Sequence, residues 1–172
     1  MNTQTTAMIE PYTLVIIDMQ DGFSASRDAR IQKNILRRID KAKREGQAVI
    51  VLQMVKRGDE DYGTTYEFIF NALADYDPNL WTVLDKSGVS GAAEIAKACR
   101  QLGFSTRRFM LAGVDSDQCV ITTGFRLQQL FRGSGIQFIK NACNMEDIPP
   151  LGQWWWFEGT AQMIGFTDYE LV

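Results

Sequence analysis

Histidine is absent from all 172 positions of this chain. Histidine is the usual base of Ser-His-Asp and Cys-His sites and the commonest protein ligand of zinc. Its absence excludes both kinds of His-activated nucleophile and any zinc centre built on imidazole. An acid, base or nucleophile in this chain therefore has to be a carboxylate, a lysine, a tyrosine or a thiol.

Cysteine is also scarce, with only Cys99, Cys119 and Cys143. Their odd number, irregular spacing and lack of a CxxC pair argue against a zinc ribbon or a secreted disulfide framework, so we expect a reduced, cytoplasmic setting. No apolar run approaches the ~20 residues that span a bilayer. The polar start MNTQTTAMIEP lacks the basic segment followed by an apolar segment that is typical of a signal peptide. The net charge of −3 predicts no nucleic-acid or membrane partner.

Strand and helix signals alternate along the chain. Short apolar runs typical of buried parallel strands fall at residues 12–17, 48–52, 81–84, 109–112 and 136–139. Helical patterns follow at residues 31–45, 64–73, 90–102 and 119–130, and a last helix and strand are predicted at 157–163 and 164–168. This alternation predicts one α/β domain over residues 1–172, with a mostly parallel sheet covered on both faces. Residues 1–11 are expected to form a flexible N-terminal lead.

Three reactive side chains follow separate strands of the predicted sheet. Asp18 comes directly after the first strand, Lys86 after the third, and Cys119 in the first turn of the helix after the fourth. Because parallel strands end at one edge, these side chains are expected to meet there as a nucleophile, a proton acceptor and a stabilising cation. The helix terminus should favour a thiolate, and Asp117 should cap the helix. From the pattern alone, an Asp18–Lys86 ion pair beside an inert buried cysteine is equally well supported.

Three segments in this order and spacing resemble the isochorismatase-like cysteine hydrolase superfamily: LVIIDMQDGF at residues 14–23, KSG at 86–88 and AGVDSDQCV at 112–120. The resemblance implies a three-layer α/β/α sandwich with a six-stranded parallel sheet in the order 3-2-1-4-5-6. It implies a catalytic triad of Asp18, Lys86 and Cys119. Members hydrolyse amides and related bonds and are usually oligomeric, so a homo-oligomer, a dimer or tetramer, is expected.

The same resemblance implies an oxyanion hole formed by the backbone N–H groups of Asp115 and Cys119, next to a cis peptide bond between Val114 and Asp115. The resemblance also allows a prediction about metal binding. Nicotinamidases of this superfamily carry an Asp-x-His metal motif after the second strand, where residues 53–59 here read QMVKRGD. Neither a metal nor a cofactor is therefore expected.

The sequence departs from the superfamily pattern around the expected pocket. Asp115 stands where a small apolar residue is common, and a carboxylate there opposes an oxyanion unless it points away or binds a cation. Ala92 replaces an aromatic residue, which predicts a wider pocket. Phe23, Gln53 and Ser90 are the candidate pocket residues.

The consecutive tryptophans 154–156 have no counterpart in the resemblance. Neighbouring side chains point in different directions in any regular structure, so at least one of the three should be exposed or lie at an interface. An oligomer contact is favoured over a substrate lid.

The function predicted from these observations is cysteine-dependent hydrolysis of a C–N bond in a small amide, carbamoyl or imide compound, through a thioester intermediate. Two alternatives stay open. One is an isochorismatase-type vinyl-ether hydrolase, which would not need Cys119. The other is a catalytically idle, oligomeric ligand-binding member of the same fold, for which Asp115 and the altered pocket are the motivating features.

Overall fold

A parallel sheet runs through the centre of the computed structural model, which describes residues 9–55, 59–145 and 153–172. Its strands are β1 (Thr13–Ile17), β2 (Ala48–Met54), β3 (Trp81–Lys86), β4 (Arg108–Gly113), β5 (Gly135–Cys143) and β6 (Glu170–Leu171). All neighbours pair in parallel, in the order β3-β2-β1-β4-β5-β6. The predicted α/β class and strand order are confirmed.

Helices cover both faces of the sheet. The helices within the described ranges are α1 (Ala29–Arg44), α2 (Glu67–Leu73), α3 (Ala92–Leu102), α4 (Ile121–Leu130) and α5 (Gln153–Met163). Helices α1 and α2 pack in one apolar cluster, and α3, α4 and α5 pack in the other. The helices therefore form the two outer layers of the predicted sandwich.

The central strand β1 explains why the sheet holds one register. All five of its residues are buried, with Val15 and Ile17 in one apolar cluster and Leu14 and Ile16 in the other. Burying each of these side chains contributes about 1.5–3 kcal/mol, and a slip of one residue would exchange the two faces. The register pairs Ile17 with Leu52 and with Gly113, which aligns the carboxyl ends of β1, β2 and β4.

In the last segment of the chain, the predicted helix is present but begins earlier, and the predicted strand is wrong. The final strand is β6 at Glu170–Leu171 and not 164–168. Phe166, inside the predicted strand, is buried directly after a turn in which Gly165 has a φ of 72°. Backbone pairing selects the later residues, because the backbone N–H of Lys140 donates to the Val172 carbonyl at 2.8 Å. Helix α5 begins at Gln153 rather than 157 and so contains all three consecutive tryptophans.

The helical pattern predicted at residues 90–102 starts two residues too early, at Ser90. The helix begins at Ala92 and the residue before it is Gly91. A Cβ on Gly91 would lie 2.3 Å from Leu52 Cδ2, so the chain enters the helix through a glycine packed on β2. Ser90 still contributes, since its Oγ accepts a hydrogen bond from the Ala92 N–H at 3.3 Å.

Parts of three predicted segments lie outside the described residues. They are residues 1–8 of the N-terminal lead, 56–58 of the charged loop after β2, and 146–150 of the segment after β5. In the ranges that are described, no helix combines the length and apolar character needed to cross a membrane.

Two glycine-to-alanine variants should change stability in opposite directions. In α4, a Cβ on Gly124 would lie 2.5 Å from Phe138 Cζ and 2.9 Å from Leu111 Cδ1. Such overpacking costs about 1–3 kcal/mol, more than the ~1 kcal/mol by which alanine favours a helix, so Gly124→Ala should lower the free energy of unfolding. In α5, Gly159 has no atom within 4 Å of that position, and Gly159→Ala should raise it by up to about 1 kcal/mol. Urea denaturation followed by circular dichroism measures both, and changes of the same sign would contradict this account.

Candidate active site

Asp18 leaves the sheet directly after β1 in an unusual backbone conformation. Its φ is 52°, in the left-handed region that residues other than glycine seldom adopt. Its N–H donates to the Leu52 carbonyl at 2.9 Å, and the residue is completely buried. Outliers of this kind concentrate at functional sites, which makes Asp18 a candidate on geometry as well as on sequence.

Lys86 is the last residue of β3, and its side chain is entirely excluded from solvent. Its Nζ lies 2.8 Å from Asp18 Oδ2 and donates to the Gly88 carbonyl at 3.1 Å. The same nitrogen lies 3.5 Å from Cys119 Sγ and 3.9 Å from Met54 Sδ. A buried lysine is rare unless it is paired, and this ammonium joins the carboxylate to the thiol.

Cys119 lies in a π-helical turn, Ser116–Val120, between β4 and α4. The Val120 and Gln118 N–H groups both donate to the Asp115 carbonyl, at 3.0 and 3.1 Å. The Val114–Asp115 peptide bond that precedes the turn is cis. Cys119 itself is 6% exposed. The predicted α-helical first turn is therefore a wider π turn that continues into α4.

The cap predicted at Asp117 is wrong. The residue before the turn is Asp115, whose side chain makes no capping hydrogen bond and whose backbone carbonyl accepts the N–H groups instead. Asp117 lies inside the turn. The turn is also anchored from β5, since the Ser116 N–H donates to the Asn144 carbonyl at 2.9 Å.

The electrostatics favour a neutral thiol at rest. Burial, followed by the neighbouring Asp18 carboxylate, raises the pKa of Cys119 to about 12, while the Lys86 ammonium acts in the opposite direction. Burial also raises the pKa of Asp18, and Lys86 again opposes that shift. The thiolate expected from the helix terminus is therefore not favoured at rest, because the loss of water around the sulfur raises the pKa of the thiol.

The predicted pocket residues differ in where they lie. Phe23 is half-buried and stacks on Tyr62 with ring centroids 5.6 Å apart. Ser90 is half-buried in the loop after Lys86. The Gln53 amide forms a hydrogen bond outside the triad, since it donates to Asp85 Oδ1 at 2.8 Å.

Gln53 is separated from the triad by the sheet. Met54 pairs with Lys86 and contacts its ammonium, so these two side chains share a face. Adjacent residues of a strand face opposite sides. The structure therefore places Gln53 on the face opposite Lys86.

The sequence pattern did not single out Gln20 or Met54, and both border the triad. Gln20 is 1% exposed, and its amide bonds both backbone groups of Met54, at 2.7 Å to N–H and 2.9 Å to the carbonyl. Gln20 could have been found from its position in the sequence. It is a polar side chain two residues beyond the candidate base Asp18, and apart from that aspartate the residues from Leu14 to Met19 are apolar.

Within the described ranges, no group of three or more His, Cys, Asp or Glu side chains is placed to hold a metal ion.

The tryptophans of α5 differ in exposure. Trp154 is half-buried and packs on Phe157, with ring centroids 5.3 Å apart. Trp155 and Trp156 are 87% and 62% exposed, as the rule on neighbouring side chains requires.

Comparisons with known proteins agree with this fold. The family model for the isochorismatase domain matches residues 12–147, whereas a search of curated proteins found no match. Similar solved structures include nicotinamidase PncA from Bacillus subtilis, which is 17% identical with a TM-score of 0.73 and covers 95% of this chain and 99% of its own. The MAR1 ribonuclease from Caenorhabditis elegans is 20% identical with a TM-score of 0.70, covering 93% and 84%.

A further similar structure is the YcaC gene product from Escherichia coli, an octameric hydrolase of unknown specificity. It is 15% identical with a TM-score of 0.67, and the match covers 99% of this chain and 80% of that one. The names of these proteins describe different activities. Similarity at these identities therefore shows the fold and leaves the substrate open.

Removing either charge beside Cys119 should move the pKa of its thiol in a defined direction. Asp18→Asn removes a carboxylate that raises this pKa, so labelling by iodoacetamide at neutral pH should become faster. Lys86→Met removes the opposing ammonium, so labelling should become slower. Mass spectrometry resolves Cys119 from Cys99 and Cys143.

The matched controls for this measurement are Asp85→Asn and Lys97→Met, which remove the same charges from exposed positions. Neither control should change Cys119 labelling. Equal effects of Asp18→Asn and Asp85→Asn would contradict the electrostatic account of the site.

Proposed function

The chain belongs to the isochorismatase family, and on that premise we propose that it is a cysteine-dependent hydrolase of a C–N bond in a small amide, carbamoyl or imide compound. The observation that carries this proposal is the position of one ammonium. Lys86 Nζ lies 2.8 Å from Asp18 Oδ2 and 3.5 Å from Cys119 Sγ, and the side chains of Lys86 and Asp18 are fully buried. A nucleophile, a base and a cation are thus within reach of one another.

Acylation begins from the neutral thiol. As sulfur attacks the substrate carbonyl carbon, Asp18 accepts the thiol proton and the carbonyl electron pair moves to oxygen. A neutral starting state makes this base necessary, since the pKa of Cys119 near 12 leaves little thiolate at neutral pH. Lys86 stabilises the negative charge that passes between carboxylate, sulfur and oxyanion.

The oxyanion of the tetrahedral intermediate is assigned to the backbone N–H groups of Asp115 and Cys119. Such a donor typically contributes a factor of about 10²–10³ in rate. When the carbonyl re-forms, the C–N bond breaks, and the protonated Asp18 gives its proton to the leaving nitrogen. The products of this half-reaction are a thioester on Cys119 and free ammonia or an amine.

In deacylation, water is the nucleophile and the Cys119 sulfur is the leaving group. Asp18 takes a proton from water, the resulting hydroxide adds to the thioester carbonyl, and the C–S bond breaks. The sulfur recovers a proton through Asp18 and the acid product leaves. The proposal uses no metal or cofactor, in keeping with the sequence of residues 53–59, which lacks an Asp-x-His motif.

A homo-oligomer acting on a small molecule is part of the proposal, with no nucleic-acid partner. Two observations support an assembly of identical chains: Trp155 and Trp156 are exposed on α5, and the similar YcaC protein is octameric. An idle ligand-binding member of the fold is the alternative that Asp115 motivates. A vinyl-ether hydrolase would leave the contact between Lys86 and Cys119 without a role.

The first test is a screen of small amides, carbamoyl compounds and imides for release of ammonia or amine. Cys119→Ala, Asp18→Asn and Lys86→Met should each lower kcat/KM by at least about 10²–10⁴-fold, because each removes a group that acts in the transition state. Acid quenching during turnover should leave the acyl group on the Cys119 peptide. Cys99→Ala removes another buried thiol and should behave as wild type; activity that survives in Cys119→Ala would sink the proposal.

The acid limb of the pH–rate profile offers an independent check. Asp18 has to be ionised to accept the thiol proton, and burial raises its pKa above the ordinary value of 3.8. kcat/KM should therefore rise with pH through this elevated pKa. Lys86→Met removes the main opposing influence, so its acid limb should move to higher pH, whereas Lys97→Met should not move it. An unshifted limb in Lys86→Met would assign the titration to another group.

A further inference from the structure

Gln20 is a buried side chain that the proposed reaction does not use. Its Oε1 accepts from the Met54 N–H at 2.7 Å, and its Nε2 donates to the Met54 carbonyl at 2.9 Å and to the Gly63 carbonyl at 3.1 Å. The amide therefore offers both Met54 backbone groups the partners that a neighbouring strand would offer. These three hydrogen bonds need one acceptor and two donors from the same side chain, and a glutamine amide provides both.

These hydrogen bonds lie just beyond the point at which β1 and β2 stop pairing. Regular pairing of β1 with β2 ends at Ile17 and Leu52, and Asp18 adds one last bond to the Leu52 carbonyl. The chain then turns away at Asp18. Beyond that point, the Gln20 side chain takes the place of the missing strand and holds the end of β2 beside the end of β1.

Met54 transmits this connection to Lys86. The two residues are paired across β2 and β3, and the next N–H, that of Val55, donates to the Lys86 carbonyl at 2.9 Å. The Met54 Sδ also lies 3.9 Å from Lys86 Nζ. A continuous series of contacts thus runs from the Asp18 segment through Gln20 and Met54 to the ammonium.

A second segment is held by the same amide. The backbone of Gln20 pairs with Thr65 in an antiparallel bridge, and the Tyr66 N–H donates to the Met19 carbonyl at 3.1 Å. With the bond to Gly63, the segment after β2 is therefore tied to the residues after β1. The Gln20 side chain is therefore hydrogen-bonded to two segments of the chain, at Met54 and at Gly63.

We infer that Gln20 is a positioning residue that holds Lys86 against Asp18 and Cys119. The inference rests on the proposed catalytic role of that triad. Asp18 and Cys119 follow adjacent strands, β1 and β4, whereas Lys86 is the last residue of β3, on the far side of β2. Lys86 is thus the member of the triad whose placement depends on the β1–β2 junction that Gln20 closes.

The test compares Gln20→Met with Gln47→Met. Gln47 is also buried, and its amide also bonds backbone, accepting from the Tyr12 N–H at 2.8 Å and donating to the Glu45 carbonyl at 2.9 Å. It precedes β2 and lies at the opposite end of the sheet from the triad. Both variants remove comparable hydrogen bonds, and only one of them borders Lys86.

Gln20→Met should slow iodoacetamide labelling of Cys119 at neutral pH by about tenfold, because displacement of Lys86 weakens the influence that lowers the pKa of the thiol. For a substrate found in the amide screen, kcat should fall by about 10²-fold while KM changes by less than about threefold. Gln47→Met should lower the urea midpoint to a similar degree and leave Cys119 labelling and kcat unchanged. Gln20→Asn, which keeps an amide that is too short to reach both Met54 groups, should give an intermediate loss of labelling.

A merely structural Gln20 would give a different result. Gln20→Met would then lower the urea midpoint while Cys119 was labelled at the wild-type rate, and that outcome overturns the inference. If Gln20→Met does not fold, Gln20→Asn provides the same comparison. Labelling needs no substrate, so a failed amide screen with an intact labelling response counts against the proposed function alone.

Discussion

The ion pair between Asp18 and Lys86 is the interaction on which the site depends. Both side chains are fully buried, and taking two ions out of water costs several kcal/mol each unless they are close and otherwise bonded. Their separation of 2.8 Å and the bond from Lys86 to the Gly88 carbonyl offset part of this cost. Burial raises the pKa of the neighbouring Cys119 thiol, and the two charges of the pair shift that pKa in opposite directions.

The fold supplies this pair by alignment of strands and not by local sequence. Lys86 and Asp18 are far apart in the chain, and they meet because β3, β2 and β1 end at one edge in a fixed register. The register is held by apolar side chains on both faces of β1 and β2. Core packing therefore determines the distance between two charged atoms at the edge of the sheet.

Much of this arrangement could be predicted from sequence because buried strands have a simple signature. Continuous apolar runs located the inner strands, and the reactive residues at their ends indicated a shared edge. The π turn could not be read in this way, since its bonds to Asp115 and Asn144 depend on neighbouring chain segments. The face occupied by Gln53 was missed because β2 extends to Met54, beyond its apolar run. The pKa of Cys119 depends on burial by distant residues, and β6 is defined by pairing and not by composition.

The clustering of tryptophan in α5 has an optical consequence. Three of the four tryptophans lie in the first turn of this helix, and the fourth, Trp81, begins β3. Gln153, at the start of α5, accepts a hydrogen bond from Ser116 in the Cys119 turn. Intrinsic fluorescence of this protein is therefore weighted toward one helix beside the nucleophile, in which Trp155 and Trp156 are exposed on the surface of the single chain. Emission reports the local environment of α5 far more than the integrity of the sheet.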